Sequence, residues 1–184
     1  MKGAGGPFET KKSAGRSEAL EHLWSPWRME YILSERKNGC IFCEALDQPD
    51  GTTNLVVHRA GFNFVILNRF PYTTGHLMVV PYLHKSTLVD LKQEIRAEML
   101  ELATRSIQVI NAAYQPQGFN VGINIGEAAG AGIQDHVHMH VVPRWGGDTN
   151  FMSALGEARV LPELLEDTYT RIMAAWDEIS NTQK

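Results

Sequence analysis

The sequence has only two cysteines, the Cys-x-x-Cys pair Cys40 and Cys43, so no disulfide framework holds the fold together and a reducing compartment suits it. No apolar run approaches the ~20 residues that span a bilayer, and no apolar signal core follows Lys2. A soluble, cytoplasmic protein is therefore expected. Positive charge is not in excess either: 17 Lys and Arg stand against 21 Asp and Glu, a formal net charge of −4. Without a global basic field, nucleic acid is not an expected partner, and any anionic substrate must be met by local donors. Internal repeats and low-complexity tracts are also missing.

What is present suffices for one domain: 184 residues, 43% of them hydrophobic, can bury a sizeable core. Residues 1–22, with Gly3, Gly5, Gly6 and Gly15 among Lys, Ser and Glu, show no helical or strand period and read as a flexible lead-in. Residues 23–184 read as the single domain. It opens with Trp24, Pro26, Trp27, Met29, Tyr31 and Ile32, an aromatic arm suited to packing on the core or a partner subunit, or to stacking on a substrate.

The periodicity predicts an α+β fold. Asn54–Arg59, Phe62–Asn68 and His76–Tyr82 are short β-rich runs divided by turn residues, which reads as an antiparallel meander. Between Lys85 and Gln115, Leu88, Leu91, Ile95, Met99, Leu102, Ile107, Ile110 and Ala113 recur at three- and four-residue steps, which predicts a long amphipathic helix. Phe119–Asn124 alternates as a further strand. Leu161–Ser180 predicts a C-terminal helix begun by Pro162, with Leu165, Tyr169, Ile172 and Trp176 on one side.

The chemistry concentrates in His136-Val-His138-Met-His140-Val-Val142, which holds three of the seven histidines. As a strand ended by Pro143, it would project the three imidazoles together from one face while Val137, Met139 and Val141 enter the core. The glycine-rich stretch Gly126–Ile133 precedes it, with Gly130 and Gly132 able to bring backbone N–H groups close to a phosphate. This stretch lacks the Gly-Lys-Ser/Thr of a Walker loop and leads into a strand rather than a helix. Alternate histidines can bind a metal, or one can act as a nucleophile while its neighbours orient it. A hydrolytic metal barrel with His-x-His on its first strand needs ~250 residues, more than this chain has. For phosphoryl chemistry, a neutral imidazole at the central His138 is a competent nucleophile near pH 7, with the flanking histidines and Arg144 beside the phosphate oxygens. Cys40 and Cys43 alone leave three options open: a redox dithiol, two inert thiols, or half a zinc site.

The His136–Val142 stretch resembles the defining motif of the histidine triad (HIT) nucleotide hydrolases and transferases. The likeness runs over roughly residues 24–180. Leu23-Trp-Ser-Pro-Trp-Arg28, Asn68-Arg-Phe-Pro71 with Gly75-His76-Leu-Met-Val-Val-Pro81, and the run from His140 through Trp145 to Phe151 are similar to the diadenosine tetraphosphate phosphorylase-like branch. The resemblance implies a HIT-like α+β fold with an antiparallel sheet, usually a homodimer, acting on adenine nucleotides linked through polyphosphate. It implies His138 as the nucleophile forming a nucleotidyl-histidine, with His136 and His140 beside the phosphates. Asn68 and His76 fall where the family contacts the nucleoside and ribose, and Asn124 where it places an amide near the phosphates. Some members also hold structural zinc, and Cys40, Cys43, His84 and His136 occupy those four places. The chain departs from close relatives at Gly132, where a hydroxyl or amide is common, leaving Gln134 as the substitute. The final acceptor stays open between phosphate and water. Two further readings stand beside this one: a purine-nucleoside phosphoramidase and a nucleotide-binding module without turnover.

Overall fold

A computed structural model of the chain describes residues 39–148 and 163–182. The lead-in, the aromatic arm and the Leu161-Pro162 helix start lie outside the described residues.

Five antiparallel strands form one sheet: β1 (Val56–Arg59), β2 (Asn63–Leu67), β3 (Leu77–Pro81), β4 (Gly118–Ile123) and β5 (Met139–Arg144), in the spatial order β1-β2-β3-β5-β4. β1 to β3 are the expected meander. β5 slots between β3 and β4, so the last strand in sequence sits inside the sheet. A six-residue helix α1 (Ile41–Leu46) precedes the sheet, the 22-residue α2 (Gln93–Tyr114) follows β3, and α3 (Leu165–Thr182) closes the chain.

α2 and α3 cover one face of the sheet. α2 buries Ile95, Met99, Leu102, Ala103, Val109 and Ile110, and α3 buries Tyr169, Ile172, Ala175 and Trp176. Asn63 donates to the Ile95 carbonyl at 3.1 Å, and the Tyr169 hydroxyl donates to the Val56 carbonyl at 2.9 Å, tying both helices to the first strands. The opposite face is read from the register. Ile66, Met78, His140 and Gly122 are successive cross-strand partners and share it. That face carries the site.

Three boundaries differ from the sequence expectation. The long helix starts at Gln93, not Lys85, because Thr87 caps a separate 3-10 turn (Leu88–Asp90) and Leu91 returns to extended backbone. Leu91 is buried all the same, so the apolar period continues across a break in the helix. The strand carrying the histidines starts at Met139; His136 to His138 approach it as irregular backbone, with Val137 N–H bonded to the Lys85 carbonyl at 2.6 Å. Pro143 does not end it. The Pro143 carbonyl accepts from the Thr73 hydroxyl at 2.8 Å, so its nitrogen faces the side where β3 has already finished, and no ladder bond is lost.

Candidate active site

The three motif histidines do not share one environment. His136 is fully buried and turned toward the cysteines, with Nδ1 3.2 Å from Cys40 Sγ and 3.7 Å from Cys43 Sγ. His84 Nδ1 lies 3.4 Å from Cys43 Sγ. The ligand atoms of Cys40, Cys43, His84 and His136 all fall within 4.8 Å of one another. In a tetrahedral zinc site, bond lengths near 2.3 Å to sulfur and 2.05 Å to nitrogen put sulfur and nitrogen about 3.6 Å apart, so these separations match its edges. His136 Nε2–H donates to the Pro81 carbonyl at 2.9 Å, leaving Nδ1 as a lone pair aimed at the cluster. Burial, then the neighbouring Cys40, push the Cys43 thiol up to about 11, the opposite of a reactive redox thiolate. The donor set fits a closed four-ligand zinc site.

His138 is turned the other way. Its Nδ1 lies 2.9 Å from the His136 carbonyl oxygen, which can only accept, so Nδ1 carries the proton and Nε2 the lone pair. Burial pushes its imidazole below the ordinary value, the bond to the carbonyl opposing, so the neutral form prevails near neutral pH. The Phe42 ring on α1 packs 4.9 Å from His138 and 5.4 Å from His136.

His140 sits 4.8 Å from His138, ring edge to face. Its tautomer is set by a chain of bonds. The Tyr72 N–H donates to His76 Nδ1 at 3.1 Å, and the Asn68 amide stands 3.2 Å from the same atom. His76 therefore carries its proton on Nε2, which donates to His140 Nδ1 at 2.9 Å. The proton of neutral His140 is thereby placed on Nε2.

A cavity of about 540 Å³ opens on this face. Ile41, Phe42, Leu55, Leu67 and Met78 make its apolar wall, with Asn68, Gly130, Gly132, His138 and His140 at its polar end. The volume and the mix of apolar wall and few polar groups suit a small organic ligand. Gly130 has a φ of +79°, a left-handed conformation that favours glycine at that wall.

Not every expected site residue reaches this cavity. His76 is fully buried behind His140 rather than at the wall. Gln134 is half-buried and lines neither this cavity nor its neighbour. Asn124 and Arg144 line a second cavity, where Asp148 holds the Arg144 guanidinium at 2.6 and 2.8 Å. Sequence reasoning missed Phe42, Tyr72 and Asn54. Asn54, 3% exposed, donates to the carbonyls of Ala45 and Gln48 and accepts from Gly51 and Val56 N–H, welding α1 to the cavity wall. A lone Asn at the start of a β-rich run gave no sign of this.

A family model described as the HIT domain matches residues 52–147, more than half of the chain. The chain belongs to the HIT family. Among its relatives, a protein named AP-4-A phosphorylase from Mycobacterium tuberculosis is 39% identical over 174 residues, 90% of this chain and 89% of the relative. A zinc-bound histidine triad family protein from Mycobacterium smegmatis superposes with a TM-score of 0.64 at 25% identity, covering 78% of this chain and 97% of that one. A diadenosine triphosphate hydrolase from Plasmodium falciparum shares the fold at 17% identity, with a TM-score of 0.56 over 78% of this chain and 97% of that one. The antiparallel α+β architecture is thus that of the HIT fold. In this HIT chain the motif splits into one histidine directed at the cysteines and two directed at the cavity.

Proposed function

We propose that the chain is a nucleotidyl transferase that cleaves diadenosine tetraphosphate, or a related adenine nucleotide, at an α-phosphate. One observation carries the reading: His138 is pinned through Nδ1 to the His136 carbonyl, so its Nε2 lone pair belongs to a cavity of nucleoside size. The likeness to a relative named AP-4-A phosphorylase over most of both chains supports the substrate class.

In the first half-reaction His138 Nε2 attacks the α-phosphorus; the P–N bond forms and the bond to the bridging oxygen breaks. His140 Nε2–H donates to that oxygen as the remaining nucleotide leaves. In the second, an oxygen of inorganic phosphate attacks, the P–N bond breaks, and ADP is released. Asn68 and the backbone at Gly130 and Gly132 hold the nucleotide, while His76 acts on the reaction through His140. Gln134 has no role in this scheme. Burial keeps His138 neutral, so no separate base is needed to free its lone pair.

Cys40, Cys43, His84 and His136 hold a structural zinc ion. It would supply a cross-link between α1 and the approach to β5, and His136 is then a ligand rather than an acid. The protein is a cytoplasmic homodimer in this reading. β4 is one of the two edge strands of the sheet, with Val121 exposed, an edge that needs covering, and no helix among the described residues is long and apolar enough to cross a membrane.

Incubation with diadenosine tetraphosphate, with and without phosphate, tests the reaction by its products. ADP with ATP, formed only when phosphate is present, establishes the phosphorylase. AMP with ATP in its absence makes water the acceptor. No product in either condition removes the reading in favour of a phosphoramidase or a binding module.

A further inference from the structure

We infer that the second cavity is the polyphosphate subsite through which the leaving nucleotide departs and the acceptor phosphate enters, and that Asn120 and Arg144 are its specificity-determining donors. The inference rests on the nucleotidyl-transfer reading and adds where the half of the substrate beyond the reacting phosphorus lies.

The two cavities lie side by side on one sheet face. The first lies over β2 and β3, while the second, of about 390 Å³, lies over β5 and β4. They share Tyr72 and His140. His138 lines only the first, so the attacking nitrogen and the proton donor stand on the two sides of the reacting phosphorus. In-line displacement sends the leaving oxygen away from the nucleophile, toward His140 and the cavity beyond it. The second half-reaction must then begin where the first ended, because the acceptor oxygen occupies the position the leaving oxygen vacated.

The walls differ in chemistry as this division requires. The first cavity is mainly apolar; the second presents Thr73, Asn120, Asn124 and Arg144. Arg144 is fixed from two directions, by the Asp148 carboxylate and by the Asn120 Oδ1 acceptor at 2.6 Å from Nη1. A guanidinium only donates, so Oδ1 is the atom of Asn120 facing it, and the Asn120 NH2 is directed elsewhere. Of the five Arg144 N–H groups these bonds use three, leaving one on each terminal nitrogen to donate to phosphate oxygens. Asp148 neutralises the net charge there, so the subsite reads phosphate oxygens by placed donors rather than by a strong field.

Two donors of the same adenylyl group separate this subsite from the rest of the site. Diadenosine tetraphosphate fills both cavities, whereas the p-nitrophenyl ester of AMP places only an aryl group beyond the reacting phosphorus. For Asn120→Asp, and separately for Arg144→Gln, the ratio of kcat/KM for the dinucleotide to that for the ester should fall about tenfold or more, and KM for inorganic phosphate should rise in parallel. The unchanged ratio, with both activities lost equally or both retained, overturns the inference. A wild-type protein that turns over neither donor fails the nucleotidyl-transfer reading itself and takes the subsite with it. Turnover of both donors by the wild type with no response to either substitution leaves the transfer reading standing and rejects the subsite alone.

Discussion

His76 Nε2 lies 2.9 Å from His140 Nδ1, and that single bond places the proton of neutral His140 on Nε2, the nitrogen that serves the leaving group in the proposed reaction. His76 lines neither of the two cavities and reaches them through its bonds to His140, Asn68 and the Tyr72 N–H. His76→Leu should lower kcat about 10- to 100-fold with little change in KM, and His76→Gln, whose amide can still donate, should recover part of it. Equal kcat in wild type and His76→Leu would show that His140 needs no such partner.

In the proposed reaction His138 is the nucleophile; it is buried against Phe42 and borders the cavity. His138→Ala should reduce turnover about 10⁴-fold or more while the far-ultraviolet spectrum and Tm stay near those of the wild type. Rapid mixing with substrate, followed by acid-free trapping of a phosphoramidate adduct, should label the wild type and not the variant. A labelled variant would relocate the nucleophile.

The Cys40, Cys43, His84, His136 cluster makes metal content measurable. One zinc per chain is expected by elemental analysis, and a strong chelator should lower Tm by about 8 °C or more, since a tightly held ion stabilises only the folded state. Cys43→Ser should show the same loss without chelator. Metal-free protein with an unchanged Tm would return the two cysteines to the inert or redox class.

Gly75 precedes His76 with a φ of +81°, and a Cβ there would meet the Tyr114 ring at 3.2 Å. Gly75→Ala combines left-handed strain with a clash against α2. It should cost about 1–3 kcal/mol in urea unfolding and lower kcat as well, because the same turn aims His76. A variant of wild-type stability would mean the turn relaxes freely.

His58 stacks on Trp176 at 4.8 Å, and burial, then the Arg105 guanidinium, hold its imidazole below the ordinary value, with Glu98 opposing. A depressed folded value means the neutral form is the one the fold accepts. Above the unfolded pKa, near 6.5, both states are neutral and the fold loses nothing; below it the unfolded chain binds the proton first and stability falls. His58→Phe keeps the stack and should lose less of its urea midpoint than the wild type between pH 7.5 and 5.5. Parallel losses would place the acid sensitivity elsewhere.

Much of the architecture was legible because it follows from periodicity. The apolar steps of the long helix are a burial pattern that α2 largely follows, whereas the strands depart from simple alternation: β2 and β3 are buried at every position and β4 leaves Val121 exposed. Where local bonding competes, the pattern misleads. Thr87 caps its own turn and delays α2 to Gln93, although Leu88 and Leu91 keep the helical beat. Pro143 reads as a strand stop, yet it is accommodated because β3 ends beside it. Asn54 carried no pattern at all, since its five bonds are to groups that only the folded chain assembles.

Residue order alone determined the α+β class, the Cys-x-x-Cys pair and the alternating histidines, because spacing decides which side chains share a face. The division of labour among those histidines was decided only in three dimensions. A tautomer depends on the group opposite each ring nitrogen, and two of those groups are distant in the chain, the Pro81 carbonyl for His136 and His76 for His140, while the His136 carbonyl reaches His138 only through a local bend. Alternation is a property of the strand, whereas proton position is a property of the neighbours that folding brings to it.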